Sequence, residues 1–305
     1  MIQRNFRKIA VTVLTTAILA AQPVNAEGTA VLSRNGGWEV QYDAEACHLI
    51  GAFGHKDNEV LVRFSRSERS DFFRLALYGK PFASSVAENA LALDFGQEKG
   101  PAVVTAQAGM AGQRPVMIAT TSFASTGKAE TVSMSISDMV KVMSKPAPRP
   151  VITSDQEAAV TRLIIGLPNG SSLNLQLGSM GAPMAKMRVC VDDLIRSWGY
   201  DPEAISSLSA KPVPINSPAN WLTHQDYPKL GLVRGHSGVI RYRLDIDEKG
   251  KVRKCAILEQ LAAPEFKDAT CSNISRRAKF KPAQDGQGKP TNAYYTSSVR
   301  WLYPG

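Results

Sequence analysis

The sequence predicts an α+β protein of two domains: a β-rich N-terminal domain with a late amphipathic helix, and a smaller C-terminal domain in which a helix packs on about three antiparallel strands. Three observations support this prediction. Apolar and polar residues alternate in short runs, apolar residues recur at helical spacing in two places, and a Pro- and Ser-rich stretch lies between the two parts. The 305 residues are enough for two cores of ordinary size.

The first 26 residues have the features of an export signal. Arg4, Arg7 and Lys8 precede an apolar stretch from Ile9 to Ala21, and Val24-Asn25-Ala26 places small residues at a cleavage position. Cleavage there would leave a mature protein in the periplasm. The alternative is an uncleaved anchor in the inner membrane, although the apolar stretch is shorter than the roughly 20 residues that a spanning helix needs.

Positive charge is concentrated in the last third of the chain. The formal net charge is +9, or +6 without the three basic residues near the N-terminus. From Ser217 onward there are 15 Lys and Arg against 8 Asp and Glu, which gives +7. We expect no nucleic-acid partner, because no zinc-finger, RNA-binding or helix-turn-helix pattern accompanies this charge. The basic face is then either simply solvated or attracted to acidic peptides or anionic membranes.

The number of cysteines agrees with export. Cys47, Cys190, Cys255 and Cys271 can pair completely in an oxidising compartment, and none belongs to a CxxC motif. Three pairings are possible. If each bond stays within one domain, Cys47 pairs with Cys190 and Cys255 with Cys271.

The N-terminal domain, residues 27–200, is predicted to consist mainly of strands. Alternating residues indicate strands at Trp38–Tyr42, Val60–Phe64, Phe72–Tyr78, Ala102–Ala106 and Val116–Thr120. A hairpin is predicted from Leu163 to Leu177, because Asn169-Gly170 between apolar runs suits a tight turn.

A single long helix is predicted at the end of this domain. Pro183 can begin it, and Gly199 can end it. Its apolar stripe consists of Met184, Met187, Val191, Leu194 and Trp198, with Cys190 beside it. We expect this stripe to pack on the sheet.

The N-terminal domain contains no recognisable catalytic, metal-binding or cofactor-binding pattern. His48 and His55 are seven residues apart, which fits neither one helical face nor the close ligand pairs of zinc sites. No nucleophile elbow or phosphate-binding glycine loop accompanies the scattered Ser, Asp and Glu. We therefore predict a non-enzymatic binding unit without a metal or cofactor. An envelope enzyme with its site in this domain is an alternative, which a pocket of convergent titratable groups would support.

Residues 201–220 are predicted to be a linker, because Pro, Ser and Ala are frequent there. Lys211-Pro212-Val213-Pro214 is expected to resist both helix and sheet formation.

The C-terminal domain, residues 221–305, begins its regular structure with the clearest strand of the chain, Gly238–Asp247. Ile240, Tyr242, Leu244 and Ile246 share one face of this strand, and the charged residues Arg241, Arg243, Asp245 and Asp247 share the other. The elements predicted after it are a turn at Glu248–Gly250, a strand at Val252–Leu258, a helix at Pro264–Lys279 and a last strand at Asn292–Leu302.

This order of elements, with the residues at their turns, resembles the C-terminal domain of TonB-family energy transducers. The resemblance covers Trp221 to Tyr303. It is carried by Asp226-Tyr227-Pro228, Gly235, Gly238-Val239, Asp247, Gly250, Val252, Asp268-Ala269, Arg277–Ala283, Asp285-Gly286 and Lys289-Pro290. The arrangement of Cys255 and Cys271 is also similar to that of the disulfide-bearing branch of the family.

The resemblance implies binding of protein partners, because in that family the final strand accepts an extended segment of an outer-membrane receptor. Carried onto this sequence, the partner-binding edge consists of Asn292, Tyr294, Thr296, Ser298 and Arg300. The alternatives are that this strand only closes the core, or that it pairs in a homodimer.

Two departures from the family pattern argue against force transmission. Residues 1–26 lack the Ser and His of the anchor that couples true transducers to their motor, and a long Pro-rich spacer is missing. We therefore predict a periplasmic binding or adaptor protein linked to receptor-dependent transport. The alternative is a membrane-anchored energy transducer for receptor-mediated uptake.

Overall fold

The structure is a computed structural model of the chain, and it describes residues 29–304 except 85, 87, 97–99, 126 and 129–151. The predicted export signal lies outside the described residues. Within the described ranges, no helix has the length and apolar character needed to cross a membrane.

Within these ranges, nine strands of the N-terminal part form a closed barrel. They are β1 Ala30–Tyr42, β2 Cys47–Phe53, β3 Val60–Arg66, β4 Phe73–Tyr78, β5 Glu88–Asp94, β6 Ala102–Ala111, β7 Arg114–Thr121, β9 Arg162–Gly166 and β10 Ser172–Gln176; the short strand β8, Gly127–Lys128, also pairs with β6. The order around the barrel is β5, β9, β10, β1, β2, β3, β4, β7, β6, and β6 pairs with β5 to close it. Neighbouring strands of the barrel are antiparallel except β1 and β10, and the short β8 is also parallel to β6.

Side chains fill the interior of the barrel. In β2 and β3 every second residue is buried, as expected for strands with one face on a core. Phe64, Phe73, Phe95 and Phe123 form an aromatic cluster with ring centroids 4.9 to 6.1 Å apart. Edge-to-face pairs of this kind stabilise a core beyond the area that they bury.

Two helices accompany the barrel. The short α1, Ser154–Ala159, begins with a capping box between Thr153 and Gln156. The long α2, Gly181–Ser197, is the predicted helix, and its buried side chains join the barrel core. A disulfide links Cys47 in β2 to Cys190 in α2, and both cysteines are fully buried. The bond therefore fastens α2 to the barrel wall.

The predicted linker contains a short helix and a short strand. A helix, α3, spans Pro202–Ser206, and Arg69 binds both Asp192 of α2 and Glu203 of α3. The expectation that Lys211-Pro212-Val213-Pro214 resists sheet formation is wrong, because the short strand β11, Val213–Pro214, pairs with Phe280–Lys281. Proline is tolerated there because β11 is an edge strand, and Val213 gains burial.

The C-terminal domain contains a three-stranded antiparallel sheet with a helix on one face, as predicted. Its elements are α4 Lys229–Arg234, β12 Gly238–Ile246, β13 Val252–Leu261, α5 Glu265–Arg277, β14 Phe280–Lys281, β15 Ala283–Gln284, β16 Pro290–Thr291 and β17 Ala293–Trp301. The strand order is β13, β12, β17, so β17 lies at an edge. A second disulfide joins Cys255 of β13 to Cys271 of α5.

Candidate functional site

The edge strand β17 is bonded to β12 along its whole length. Its register runs from Ala293 opposite Ile246 to Trp301 opposite Gly238. In the part of the chain that the structure describes, no strand pairs with the other side of β17. The backbone groups on that side therefore have no strand partner, as at the edge of a sheet that can accept an added strand. At the start of β17 the carbonyl of Ala293 accepts a hydrogen bond from the hydroxyl of Tyr200 at 3.2 Å.

The inward residues of β17 belong to the domain core. Tyr295 packs against Trp221 and Phe280, and Trp301 packs against Tyr227 and Phe266. The indole N–H of Trp301 also donates to the buried hydroxyl of Thr270. These contacts hold β17 in place from one face of the sheet.

The outward residues of β17 meet the N-terminal domain. The ring of Tyr294 makes edge contacts with Trp198 at 5.4 Å and Tyr200 at 5.5 Å between centroids. Thr296 Oγ1 lies 3.4 Å from a carboxylate oxygen of Glu68. These side chains are therefore engaged by the same chain.

The remaining residues of the predicted edge are all exposed but differ in their contacts. Arg300 forms an ion pair with Glu88 of β5 at 2.6 Å. Asn292 and Ser298 are exposed. Of the five predicted side chains, these two therefore extend into solvent without a hydrogen bond or ion pair to the barrel in the described structure.

The centre of the contact between the domains is Arg243 on β12, whose side chain is 1% exposed. Its guanidinium donates to Glu45 at 2.6 Å and to Asp245 at 2.9 Å. The guanidinium carbon also lies 3.8 Å from the ring centroid of Trp198. A buried guanidinium needs such partners, since an uncompensated charge in a protein interior is strongly unfavourable.

Burial shifts the pKa of one carboxylate and two phenols around this contact. Burial raises the pKa of Glu45, while Arg243 opposes that rise. Burial is also the main cause of the raised pKa of Tyr294, followed by the charge of Glu68. The raised pKa of Tyr200 has the same main cause, with Asp245 next. These groups are thus partly shielded from solvent, and electrostatic interactions are stronger there than at a fully exposed surface.

Ion pairs join the two domains, and each domain supplies both acidic and basic partners. The barrel supplies Glu45 to Arg243 and Glu88 to Arg300, and the sheet supplies Glu259 to Arg74 at 2.8 Å. Part of the positive charge of the C-terminal domain is therefore neutralised within the chain, by glutamates of the barrel. The sequence did not reveal this contact, although the aromatic residues Trp198 and Tyr200 next to the predicted linker were a signal for it.

The described residues give little support for a metal-binding or histidine site. Within them no group of three or more His, Cys, Asp and Glu side chains could hold a metal ion. His48 lies at the domain contact, and His55 is exposed. The two histidines considered in the sequence therefore do not form a shared site.

Comparison with known families identifies the C-terminal domain. Residues 223–302 match the family described as Gram-negative bacterial TonB protein C-terminal, in agreement with the resemblance read from the sequence. This family is a non-enzymatic, transport-associated domain of envelope proteins. Comparison with curated proteins found no match to this chain.

Proposed function

We propose that this chain, which carries a C-terminal domain of the TonB type, is a periplasmic adaptor that binds an extended segment of an envelope protein by strand addition to β17. The observation that carries the proposal is the position of β17, which pairs with β12 on one side only in the described structure. Strand addition uses such an edge, with main-chain hydrogen bonds providing the affinity. An outer-membrane receptor of the TonB-dependent type is the partner that the family favours.

The proposal includes the organisation of the chain. Residues 1–26 are removed as an export signal, residues 27–200 form the barrel domain with α2, residues 201–220 connect the domains, and residues 221–305 form the TonB-type domain. The barrel would orient the edge strand, because Tyr294, Thr296 and Arg300 are held by barrel-side groups. In this proposal Asn292 and Ser298 are the side chains that meet the partner.

Photo-cross-linking in the native cell envelope tests the proposal. A photoreactive amino acid at Ser298 should cross-link to an envelope protein that mass spectrometry can identify, whereas the same group at exposed Lys267 on α5 should not. A peptide from the cross-linked segment should then protect amide protons of β17 from exchange. Cross-links to a second copy of the chain alone would instead support the homodimer.

Two proline variants distinguish pairing at the free edge from general damage to the sheet. In an antiparallel strand the N–H groups of neighbouring residues point to opposite sides. Of Thr296→Pro and Ser297→Pro, one therefore removes an N–H on the free edge and the other removes an N–H bonded to β12. The free-edge variant should remain folded and lose peptide binding. If both folded variants bind the peptide as well as the parent chain does, β17 is not the docking edge.

A further inference from the structure

A small cleft lies at the contact between the barrel and the C-terminal sheet. Its lining includes His48, Arg63, Ser65, Arg66, Ser67 and Arg241. The first five come from β2, β3 and the residue after β3, and Arg241 comes from β12. The cleft is therefore built by both domains.

Positive charge exceeds negative charge around this cleft. In the described structure its lining includes one carboxylate, that of Glu259, and this group already pairs with Arg74 at 2.8 Å. The guanidinium of Arg63 lies over the ring of Tyr78, with 5.5 Å between its carbon and the ring centroid. An aromatic face attracts a cation but does not neutralise its charge.

The pKa values of neighbouring groups respond to burial and to this excess of positive charge. Burial is the main cause that lowers the pKa of Arg74, and the charges of Arg241 and Arg63 lower it further against the opposing effect of Glu259. Burial followed by the charge of Arg63 lowers the pKa of His48. The arginines are thus close enough to act on one another and on the imidazole.

Two hydrogen-bond donors of residues that line the cleft lack a partner. The Nε of Arg63 and the Oγ of Ser67 are buried without a hydrogen bond in the described structure. Ser67 is 4% exposed, so bulk water does not solvate it freely. Arg66 lies on the core side of β3, where its guanidinium donates to the carbonyl of Asp71 and stacks on Phe73, so it is not counted among the donors for a ligand. Buried donors normally have a partner, and those that lack one are candidates for binding a ligand or an ordered ion.

We propose that this cleft binds a carboxylate-sized oxyanion between the two domains. Guanidinium groups and hydroxyls are the donors that recognise oxyanions in proteins. The cleft has a volume of about 30 Å³, room for a group of two or three water-sized atoms. The anion is either a free small anion or a carboxylate carried by another protein. The site does not depend on strand addition at β17.

Calorimetric titration of the purified protein with both disulfides intact tests the proposal, in a buffer without other oxyanions. The probes are sodium formate and sodium acetate for a free anion, and N-acetyl-glutamate amide for a protein carboxylate. At least one probe should bind saturably, and Arg63→Gln and Arg241→Gln should each weaken binding at least tenfold. Lys267→Gln, which removes an equal charge from an exposed position on α5, should leave binding unchanged.

An NMR titration of His48 provides a second measurement that a merely structural role of the arginines would not produce. The imidazole faces Ser65 and Asp43, with Arg63, Arg241 and Glu259 in the same cleft. A bound anion should raise the pKa of His48, whereas the NMR signals of exposed His55 should not respond to the anion. Absence of saturable binding by all three probes, or equal binding by Arg63→Gln and the parent protein, would overturn the proposal, whatever the outcome at β17.

Discussion

The guanidinium of Arg243 in the C-terminal sheet lies 3.8 Å from the ring centroid of Trp198 at the end of α2 in the barrel domain. The same guanidinium binds Glu45, which precedes β2. One side chain of the TonB-type domain thus makes both a cation–π contact and an ion pair with the other domain. Its burial at 1% exposure makes these contacts stronger than those of a surface pair.

Replacement of Arg243 should therefore loosen the contact between the domains. Arg243→Met keeps most of the side-chain volume but leaves Glu45 and Asp245 without their cation, and breaking a buried pair in this way costs about 3–5 kcal/mol. Limited proteolysis within residues 201–220 should become faster. Arg276→Met on the exposed side of α5 is the control and should show the parent cleavage rate. Unchanged proteolysis of folded Arg243→Met would contradict the assigned role.

The alternation of residues predicted the faces of β12 correctly but not what covers them. Ile240, Tyr242 and Leu244 are buried against the helix side, as expected. Arg243 was placed on the polar face, yet its side chain is buried, because Trp198 and Glu45 of a different domain cover it. Arg241 and Asp245 on the same face are half-buried. A period of two residues identifies which side chains share a face, whereas the partner of that face depends on tertiary packing.

The sequence pattern also did not predict that the strands close into a barrel. The predicted hairpin of β9 and β10 is present. The parallel pairing of β1 with β10, however, joins Ala30 to Leu173, and closure requires β5 to pair with both β6 and β9. Such contacts between distant residues leave no local signal in the alternation. The TonB-type domain was more predictable because its hairpin and helix are close in sequence and its turn residues are distinctive.

Gly250 is a turn residue whose substitution should unfold the hairpin locally. It has φ of +77°, and a Cβ atom there would lie 1.9 Å from the carbonyl oxygen of Phe280. Gly250→Ala should therefore lower the free energy of unfolding by more than about 2 kcal/mol, through backbone strain and the displaced β14. Gly286→Ala is the matched control, because no atom lies within 4 Å of its Cβ position. Chemical denaturation measures both, and similar midpoints would contradict the prediction.

The two disulfides should differ in their resistance to reduction. Cys47 and Cys190 are 0% exposed, whereas Cys255 and Cys271 are half-buried. Reduction requires a thiolate to reach a sulfur atom, so dithiothreitol under native conditions should open Cys255–Cys271 at least about ten times faster. Alkylation after timed reduction, followed by peptide mass spectrometry, measures each rate. Similar rates for both bonds would show that access to the sulfur atoms does not control the reaction.

Acidification below neutral pH should destabilise the protein through His48. Burial, followed by the charge of Arg63, lowers its pKa in the folded state, so the unfolded chain binds this proton more readily. The sign follows directly: stability is fully present above the unfolded pKa of about 6.5 and decreases as the pH falls towards the folded pKa. The decrease approaches at most about 1.4 kcal/mol per pH unit for one proton.

The pH dependence of His48 is separable from that of the other histidines and the carboxylates. His48→Asn should flatten the dependence of the unfolding free energy on pH just below about 6.5, whereas His55→Asn, at an exposed position, should preserve it. Denaturant unfolding at closely spaced pH values with both disulfides intact measures this slope. Because oxyanion binding in the cleft would raise the pKa of His48, added acetate should also reduce the slope. A slope that His48→Asn leaves intact would mean that burial of this imidazole does not limit acid stability.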